Sequence, residues 1–382
     1  MTNTRYQQCT KTVMDTIADP NITFDENGVC NYYYEYFEKE KKYVKKGIEG
    51  IDFYNKKITQ IKKDGQHKKY DCIVGLSGGV DSSYLAYLAK KEELRPLIVH
   101  FDNGWNSELA VKNIENIVSI LGFDLYTYVI NWEEFRDLQI AYLKASVIDI
   151  EVITDHAIAA TLYKLAAKHN INYFLSGYNI VTEAILPEAW VCSKQDSENI
   201  KDIHQKFGTI PLKTFPFLTM AKKRYYSVAL KVESVTLLNY INYHKDNVKE
   251  LLKKELNWKD YGGKHYESVW TRFYQGYILP EKFKVDKRKA HLSTLICSGQ
   301  LTRKQALEEL QQPIYDADQL SIDMDFVLKK LGLSTTEFEL LMKIPPRPHT
   351  DFKIEAYSYF DKYPIFKPLK RFYNRLRKNN LI

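Results

Sequence analysis

The run Ile73-Val74-Gly75-Leu76-Ser77-Gly78-Gly79-Val80-Asp81-Ser82-Ser83 gathers much of the reactive chemistry of this chain into one turn. An apolar, β-branched stretch meets a Ser-Gly-Gly turn. Asp81 and two hydroxyls follow, and then the run Tyr84-Leu85-Ala86-Tyr87-Leu88-Ala89. This order predicts a buried strand, a tight turn of phosphate size and a helix N-terminus. Gly78 and Gly79 let the backbone approach an anion, and a helix start presents free N–H groups with a partial positive charge. Ser77, Ser82 and Ser83 add hydroxyl donors. The GxxxxGK[ST] spacing of the Walker loop is absent. Asp81 is out of place in a loop that only cradles phosphates. It suits a divalent cation, Mg²⁺, bridged to a leaving pyrophosphate.

Between strand and helix, the Ser-Gly-Gly-Val-Asp-Ser-Ser string resembles the PP-loop of the N-type ATP pyrophosphatases. Three further segments carry candidate chemistry. Val99-His100-Phe101-Asp102-Asn103 is a strand ending in an acid and an amide; on the residues alone it also reads as a plain turn. Ser176-Gly177-Tyr178-Asn179-Ile180-Val181-Thr182-Glu183 places a glycine turn and then a carboxylate after another strand. Glu183 there either orients a substrate or cation, or caps a helix. The stretch from Phe273 to His291 sets Lys282, Lys287 and Arg288 around Asp286. Such cations offset charge developing on a pyrophosphate leaving group, Arg as a planar fork and Lys as a point charge. The same residues also read as a solvated, charged helix start.

Strands are predicted at 71–76, 96–102, 124–130 and 172–177, and helices at 82–92, 107–121, 132–144 and 154–169. This alternation implies βαβ units and a parallel sheet, an α/β fold. Ligands bind such sheets at the carboxyl ends of the strands. The Ser-Gly-Gly turn, Asp102-Asn103 and Ser176-Gly177 therefore belong to one rim. Residues 1–40 read as a small N-terminal module with two short strands around Asn27-Gly28, and 41–69 as a charged helical connector. Residues 70–230 form the ATP pyrophosphatase domain. From 231 to 344 the pattern is mostly helical, at 244–256, 264–279, 286–298, 302–310 and 317–342, and this part is expected to complete the site. Pro345-Pro346-Arg347-Pro348 opens a basic tail over 345–382.

The chain has 382 residues, 45% hydrophobic, with a formal net charge of +7. No apolar run approaches the ~20 residues of a membrane span. No signal-peptide core follows Met1, which predicts a cytoplasmic protein. Five widely spaced cysteines argue against a disulfide framework. The charge is moderate, and no aromatic-basic RNA signature accompanies it, so a nucleic-acid partner is not expected.

With Cys9-Thr10-Lys11, Val13-Met14-Asp15, Phe24-Asp25-Glu26-Asn27-Gly28-Val29-Cys30, the Ser77–Ser83 loop, Ser176-Gly177, Thr182-Glu183 and Asp286-Lys287-Arg288-Lys289-Ala290-His291-Leu292-Ser293, the chain resembles the N-acetyl sugar amidotransferases. This PP-loop family includes makers of acetamidino sugars for lipopolysaccharide and flagellar glycans. The resemblance implies ATP and Mg²⁺ as cofactors. It implies ATP binding by Ser77, Gly78, Gly79, Asp81, Ser82, Ser83, Phe101, Asp102 and Gly177, with Asp81 also at the metal. Asp81, Lys282, Lys287 and Arg288 are the implied catalytic residues, and Asn179, Glu183, Asp286 and His291 the substrate contacts. An acetamido group on a nucleotide-linked sugar would be adenylylated, and ammonia would then displace AMP. Since the chain shows no glutaminase nucleophile, ammonia is expected from a separate glutamine amidotransferase subunit with a cyclase-like companion.

One departure matters. Where family members carry Cys-x-x-Cys twice, this chain has Thr12 and Tyr33 in the second positions. A closed zinc site needs four ligands. No zinc is therefore expected at Cys9 and Cys30, and packing around Tyr32, Tyr33 and Tyr34 is expected to replace it. The same loss disfavours a sulfur-transferring, tRNA-modifying PP-loop enzyme. An inactive partner subunit is the other alternative. In the tail, Leu369, Phe372, Tyr373 and Leu376 predict an apolar helical face beside six basic residues, suited to its own domain, a partner or, peripherally, an anionic membrane.

Overall fold

Ile73 is fully buried on one face of the central strand, and Cys72 and Val74 on the other, the period-two pattern of a strand covered on both sides. The structure, a computed structural model, describes residues 6–263 and 266–355; the predicted tail helix lies outside them. Strands β1 (Cys72–Gly75), β2 (Pro96–Asp102), β3 (Asp124–Val129), β4 (Tyr173–Leu175) and β5 (Glu233–Val235) form one parallel sheet in the order β3-β2-β1-β4-β5. Val74 pairs with Ile98 on one side and Leu175 on the other. The chain runs outward from β1 in both directions, so a crevice opens at the carboxyl ends of β1 and β4.

Helices α1 (Asn31–Tyr43) and α2 (Gly47–Gly65) precede the sheet. Within it run α3 (Val80–Lys91), α4 (Glu108–Leu121), α5 (Trp132–Ala145), α6 (Val152–Lys168), α7 (Ile180–Glu183), α8 (Ser197–Phe207) and α9 (Met220–Val228). After β5 come α10 (Lys245–Leu256), α11 (Val269–Phe273), α12 (Arg288–Cys297), α13 (Arg303–Gln311), α14 (Ala317–Leu331) and α15 (Thr335–Lys343). One sheet face packs Ile61, Leu85, Ile98 and Leu252 together; the other packs Leu97, Val99, Leu165 and Val232.

Several expectations need correction. Two strands around Asn27-Gly28 do not form; Gln8–Asp15 and Phe24–Cys30 make only isolated antiparallel bridges, and Asn31 already starts α1. The connector is two helices, because Lys45 leaves helical geometry and its N–H donates to Asn239 O at 3.0 Å. The helix predicted over 264–279 is the short α11 followed by a π-helical segment, Tyr274–Phe283, with Pro280 inside it. Proline lacks the N–H an α-turn needs, and a wider turn accommodates it. The helix predicted over 317–342 breaks at Gly332, whose φ is +70°, and Ser334 restarts it through a capping box with Glu337.

Candidate active site

The Ser77–Ser83 string folds as its composition requires. After β1, Leu76 N–H still donates to Val99 O at 2.8 Å. Gly78 then turns at φ +82°, where a Cβ would sit 2.7 Å from Ala110 O. Only glycine meets both the conformation and the space. Trp258 Nε1–H donates to Gly78 O at 2.8 Å and holds the turn from the other side. Gly79 ends the turn in extended geometry without a side-chain cap, and α3 begins at Val80. Glycine at the cap leaves room for an anion at the helix start, where the Gly79 and Val80 N–H groups now meet Ser77 Oγ and the Tyr261 hydroxyl.

The hydroxyls share one knot. Ser77 and Ser82 Oγ lie 3.2 Å apart, Gly79 N–H donates to Ser77 Oγ at 3.2 Å, and Ser82 Oγ–H donates to Gly79 O at 3.2 Å. Ser83 differs: its side chain is fully buried, its Oγ meets no partner among the described residues, and it does not line the cavity over the loop.

Asp81 stands in the first turn of α3. Its Oδ1 accepts from the Tyr243 hydroxyl and, at 3.4 Å, from Asn179 Nδ2. Burial, and then the Asp81 charge, push the Tyr243 phenol well above its ordinary value, so it stays a neutral donor. Asn179 is fully buried, caps α7 by accepting from Thr182 N–H at 3.0 Å, and also donates to Gly177 O at 3.2 Å. Asn179 was expected as a substrate contact; its burial makes it a brace for Asp81. Gly177 comes so close that a Cβ there would lie 3.2 Å from Asp81 Cβ.

A cavity of about 190 Å³ covers the loop, lined by Ser77, Gly79, Asp81, Ser82, Gly177, Glu183 and His291, among others. A second, of about 660 Å³, adjoins it and is lined by Asp286, Lys287, Arg288 and His291. The two share Tyr178, Thr182, Glu183, Lys245, Lys249 and His291. His291 Nδ1 lies 3.2 Å from Thr182 O; a carbonyl only accepts, so Nδ1 carries the proton. Arg288 is forked onto Asp286, with Nη2 2.9 Å from Oδ2, and also reaches Gln312 O at 3.0 Å.

Like Ser83 and Asn179, the expected residues Lys282, Phe101 and Asp102 are not brought to these cavities. Lys282 points away, its Nζ donating to Leu341 O at 2.5 Å, and burial lowers its pKa to about 8. The π-helical segment shifts the phase that an α-helix would have given it. Phe101 stacks on Tyr128 at 5.4 Å, and Asp102 accepts from Gly104 N–H at 2.8 Å, both at the β2 end of the rim. Beside them, buried His100 ties the rim together: Nδ1 faces Leu76 O at 3.1 Å and Nε2 faces Asn106 Nδ2 at 3.1 Å.

Several lining residues were not anticipated. Lys245 and Lys249 come from α10, and Lys249 pairs with Asp260 at 2.8 Å. The Tyr261 hydroxyl accepts from Val80 N–H at 3.3 Å. Charged positions on an amphipathic helix such as α10 read as solvated surface, so the lysines carry no signal of their own; Tyr261-Gly262-Gly263 was the only local cue.

The loop cavity suits Mg²⁺ by its donor set. Asp81, Glu183 and Glu267 carboxylates and Ser77 and Ser82 hydroxyls line it, all hard oxygens, although the three carboxylates do not converge on one metal-sized point. Mg²⁺ commonly uses one or two carboxylates plus substrate phosphates and keeps several waters, so no closed protein cage is required. The N-terminal module is different. Cys9 and Cys30 are buried, Cys30 N–H points at Cys9 Sγ at 3.2 Å, and Thr12 Oγ1 lies 3.6 Å from Cys30 Sγ. The Cys30 hydrogen bond draws the Cys9 thiol below its ordinary range. Tyr33 packs edge-on against Phe37 at 4.9 Å. Among the described residues no group of three or more His, Cys, Asp or Glu could hold a metal.

Residues 267–365 match the family model of the LPS biosynthesis protein WbpG-like C-terminal domain, and residues 69–178 that of asparagine synthase. The two matches support an amidotransferase-like family of lipopolysaccharide biosynthesis. The second match covers the loop and β1 to β4, four of the five strands, and the first covers α12 with Asp286–His291. Together they describe an ATP-dependent, ligase-type enzyme of PP-loop design. No curated protein matches. Among solved structures, an NMN synthetase from Francisella tularensis is 14% identical, covering 60% of this chain and 93% of its own, with a TM-score of 0.30. An NH₃-dependent NAD synthetase from Campylobacter jejuni, solved with nitrate, is 13% identical, covering 78% and 99%, with a TM-score of 0.30. Likenesses at that score carry no argument. No helix among the described residues is long and apolar enough to cross a membrane.

Proposed function

We propose that this protein converts an acetamido group of a nucleotide-linked sugar into an acetamidino group, using ATP and ammonia from a partner glutaminase. The amide oxygen attacks the α-phosphorus of ATP, and the bond to pyrophosphate breaks. Ammonia then adds to the activated carbon, the carbon–oxygen bond breaks, and AMP leaves with the former amide oxygen. The observation that carries this reading is the junction of the two cavities. The phosphate loop lines one, the Asp286–His291 string of the WbpG-like domain lines the other, and Thr182, Glu183 and His291 line both.

The residues divide by position. The α3 start with Ser77 and Ser82 receives the pyrophosphate. Asp81, with Glu183 or Glu267, would hold Mg²⁺, which when bound offsets phosphate charge. Lys245 and Lys249 stand where charge develops on the leaving group, and Lys287 and Arg288 face the acceptor. Free ammonia is mostly protonated at neutral pH, so delivery from a docked glutaminase with its cyclase-like companion is the efficient route.

The test is AMP and pyrophosphate formation by the full chain with ammonium as nitrogen donor. A UDP-linked diacetamido uronic acid, tRNA and no acceptor are compared. The expected result is AMP formation only with the nucleotide-sugar, whose product exchanges oxygen for NH and retains isotope from labelled ammonia. AMP formation driven by tRNA, or no AMP with any acceptor, would overturn the reading.

A further inference from the structure

A third cavity, of about 890 Å³, lies beyond the loop on the β4–β5 side. That volume falls in the range of about 300–1,000 Å³ typical of small-molecule sites. The C-terminal turn of α1 forms one wall, and the turns after β4 and β5 form the other. Tyr178 lines this cavity as well as the loop and acceptor cavities, so it stands at their common corner.

The lining has a definite chemistry. Lys39, Lys41 and Lys42 face a single acid, Glu38. Nearby Lys45 and Lys46 are paired with Glu49 and Glu40, whereas Lys41 and Lys42 form no ion pair among the described residues. Tyr43 and Tyr178, 47% and 45% exposed, offer ring surface at the two sides. Asn239 is 2% exposed; its Oδ1 accepts from Ile180 N–H at 2.9 Å, and its Nδ2 meets no partner among the described residues. Its amide thus stands at the cavity wall, where a donor can meet a ligand or water. The acceptor cavity differs, since its cations are balanced by Glu183, Asp246, Asp286 and Glu309, and Arg288 is already forked onto Asp286.

We propose that this third cavity binds a nucleoside diphosphate. The diphosphate lies on Lys41 and Lys42, the base lies against the tyrosines, and Asn239 donates to the edge of the base. The inference rests on the proposed function in one respect: a sugar carried on that diphosphate reaches past Tyr178 to the loop. The occupant is distinct from ATP, whose phosphates the proposed function puts in the loop cavity on the other side of Tyr178.

UDP is the probe, titrated calorimetrically into the full chain with and without saturating ATP. Lys41→Glu/Lys42→Glu and Tyr43→Ala change exposed side chains and leave the core intact. Each is expected to weaken UDP binding by about tenfold or more, a loss of ~1.4 kcal/mol, with ATP affinity unchanged. UDP binding that survives both variants, that ATP abolishes, or that inorganic pyrophosphate matches in affinity would overturn the proposal. The two readings fail separately. Nucleotide-sugar amidation with unaltered KM in these variants overturns the site and leaves the amidation reading standing. UDP binding sensitive to the variants, in a protein that makes no AMP with ammonia, supports the site while the amidation reading falls.

Discussion

Replacing Asp81 by Asn separates catalysis from folding because the structure assigns the two unequal stakes. Asn keeps an oxygen where Oδ1 accepts from Tyr243 and Asn179, so both hydrogen bonds can persist. What disappears is the negative charge. Downgrading two charge-assisted bonds of ~1.5–3 kcal/mol each to neutral ones of ~0.5–1.5 costs about 2–3 kcal/mol of stability, a shift of only a few degrees in Tm for a chain of this length. Removing an electrostatic contact made to the reacting phosphates commonly costs ~10²–10³ in rate, about 2.7–4 kcal/mol. Asp81→Asn should therefore lose AMP formation by two to three orders of magnitude, roughly in line with that figure, while its melting curve barely moves. Tyr243→Phe removes one donor and keeps the carboxylate, so its loss should be about tenfold. The assay is AMP release across a Mg²⁺ titration, with circular dichroism melts of the same samples. Turnover close to wild type in Asp81→Asn, or lost activity that tracks unfolding, would refute the argument.

Gly78→Ala should lower stability by ~1–3 kcal/mol and abolish ATP binding, since φ +82° and the Ala110 carbonyl leave no room for a methyl group; a melt and an ATP titration check both. His156 gives the acid dependence. It is fully buried, with Nδ1 facing Lys194 O and Nε2 accepting from Leu218 N–H at 3.0 Å, and burial lowers its pKa from 6.5 to about 4. The unfolded chain takes up its proton near 6.5 and the folded chain only near 4, so U binds more protons between them. Stability should be intact above 6.5 and fall as pH drops toward about 4, by at most ~3 kcal/mol at 1.36 per unit. Urea midpoints across that window test it, and a flat profile contradicts it. Elemental analysis of chelator-free protein should find well under one zinc per chain; a full equivalent through Cys9 and Cys30 would mean that other ligands complete the site.

The α/β sheet was legible because β1 and β2 carry apolar, β-branched runs and β3 and β4 aromatic-rich ones, and β2 spans Pro96–Asp102 as expected. The phosphate loop was legible because glycine and serine at fixed spacing leave few other uses. Strand β5 escaped, since Glu233 and Ser234 are exposed and only Val235 is buried, so no hydrophobic period marks it. Helix α9 buries no residue and gives no amphipathic signal either. In the site, Lys282 misled because a motif read as an α-helix runs through a π-helical segment. Lys245 and Lys249 were invisible because their place depends on where α10 docks, a tertiary fact with no local signature. Tyr243 became meaningful only once its hydroxyl was found on Asp81.

The Asp286–Ser293 string does two jobs that helical geometry separates. Arg288 and His291, three apart, face the acceptor cavity. Lys289 and Ser293, four apart, turn to the opposite side, as the 3.6-residue period requires, and Leu292 borders both. There Lys289 pairs with buried Asp15, Ser293 Oγ accepts from Val13 N–H at 3.2 Å, and Leu292 packs on Val13 and Ala306. Arg303 adds bonds to Thr12 O at 2.9 Å and Cys9 O at 3.0 Å. The N-terminal module is therefore a clamp on α12, and its carbonyls and Asp15 point at cations from the C-terminal helices. A closed metal site would stiffen such a module from within. Here the Lys289–Asp15 ion pair and the Arg303 fork fix it from without, and the Thr12–Cys30 contact adds to this from within. Losing two cysteines can then be tolerated while His291 stays beside Thr182, where the loop cavity and the acceptor cavity meet.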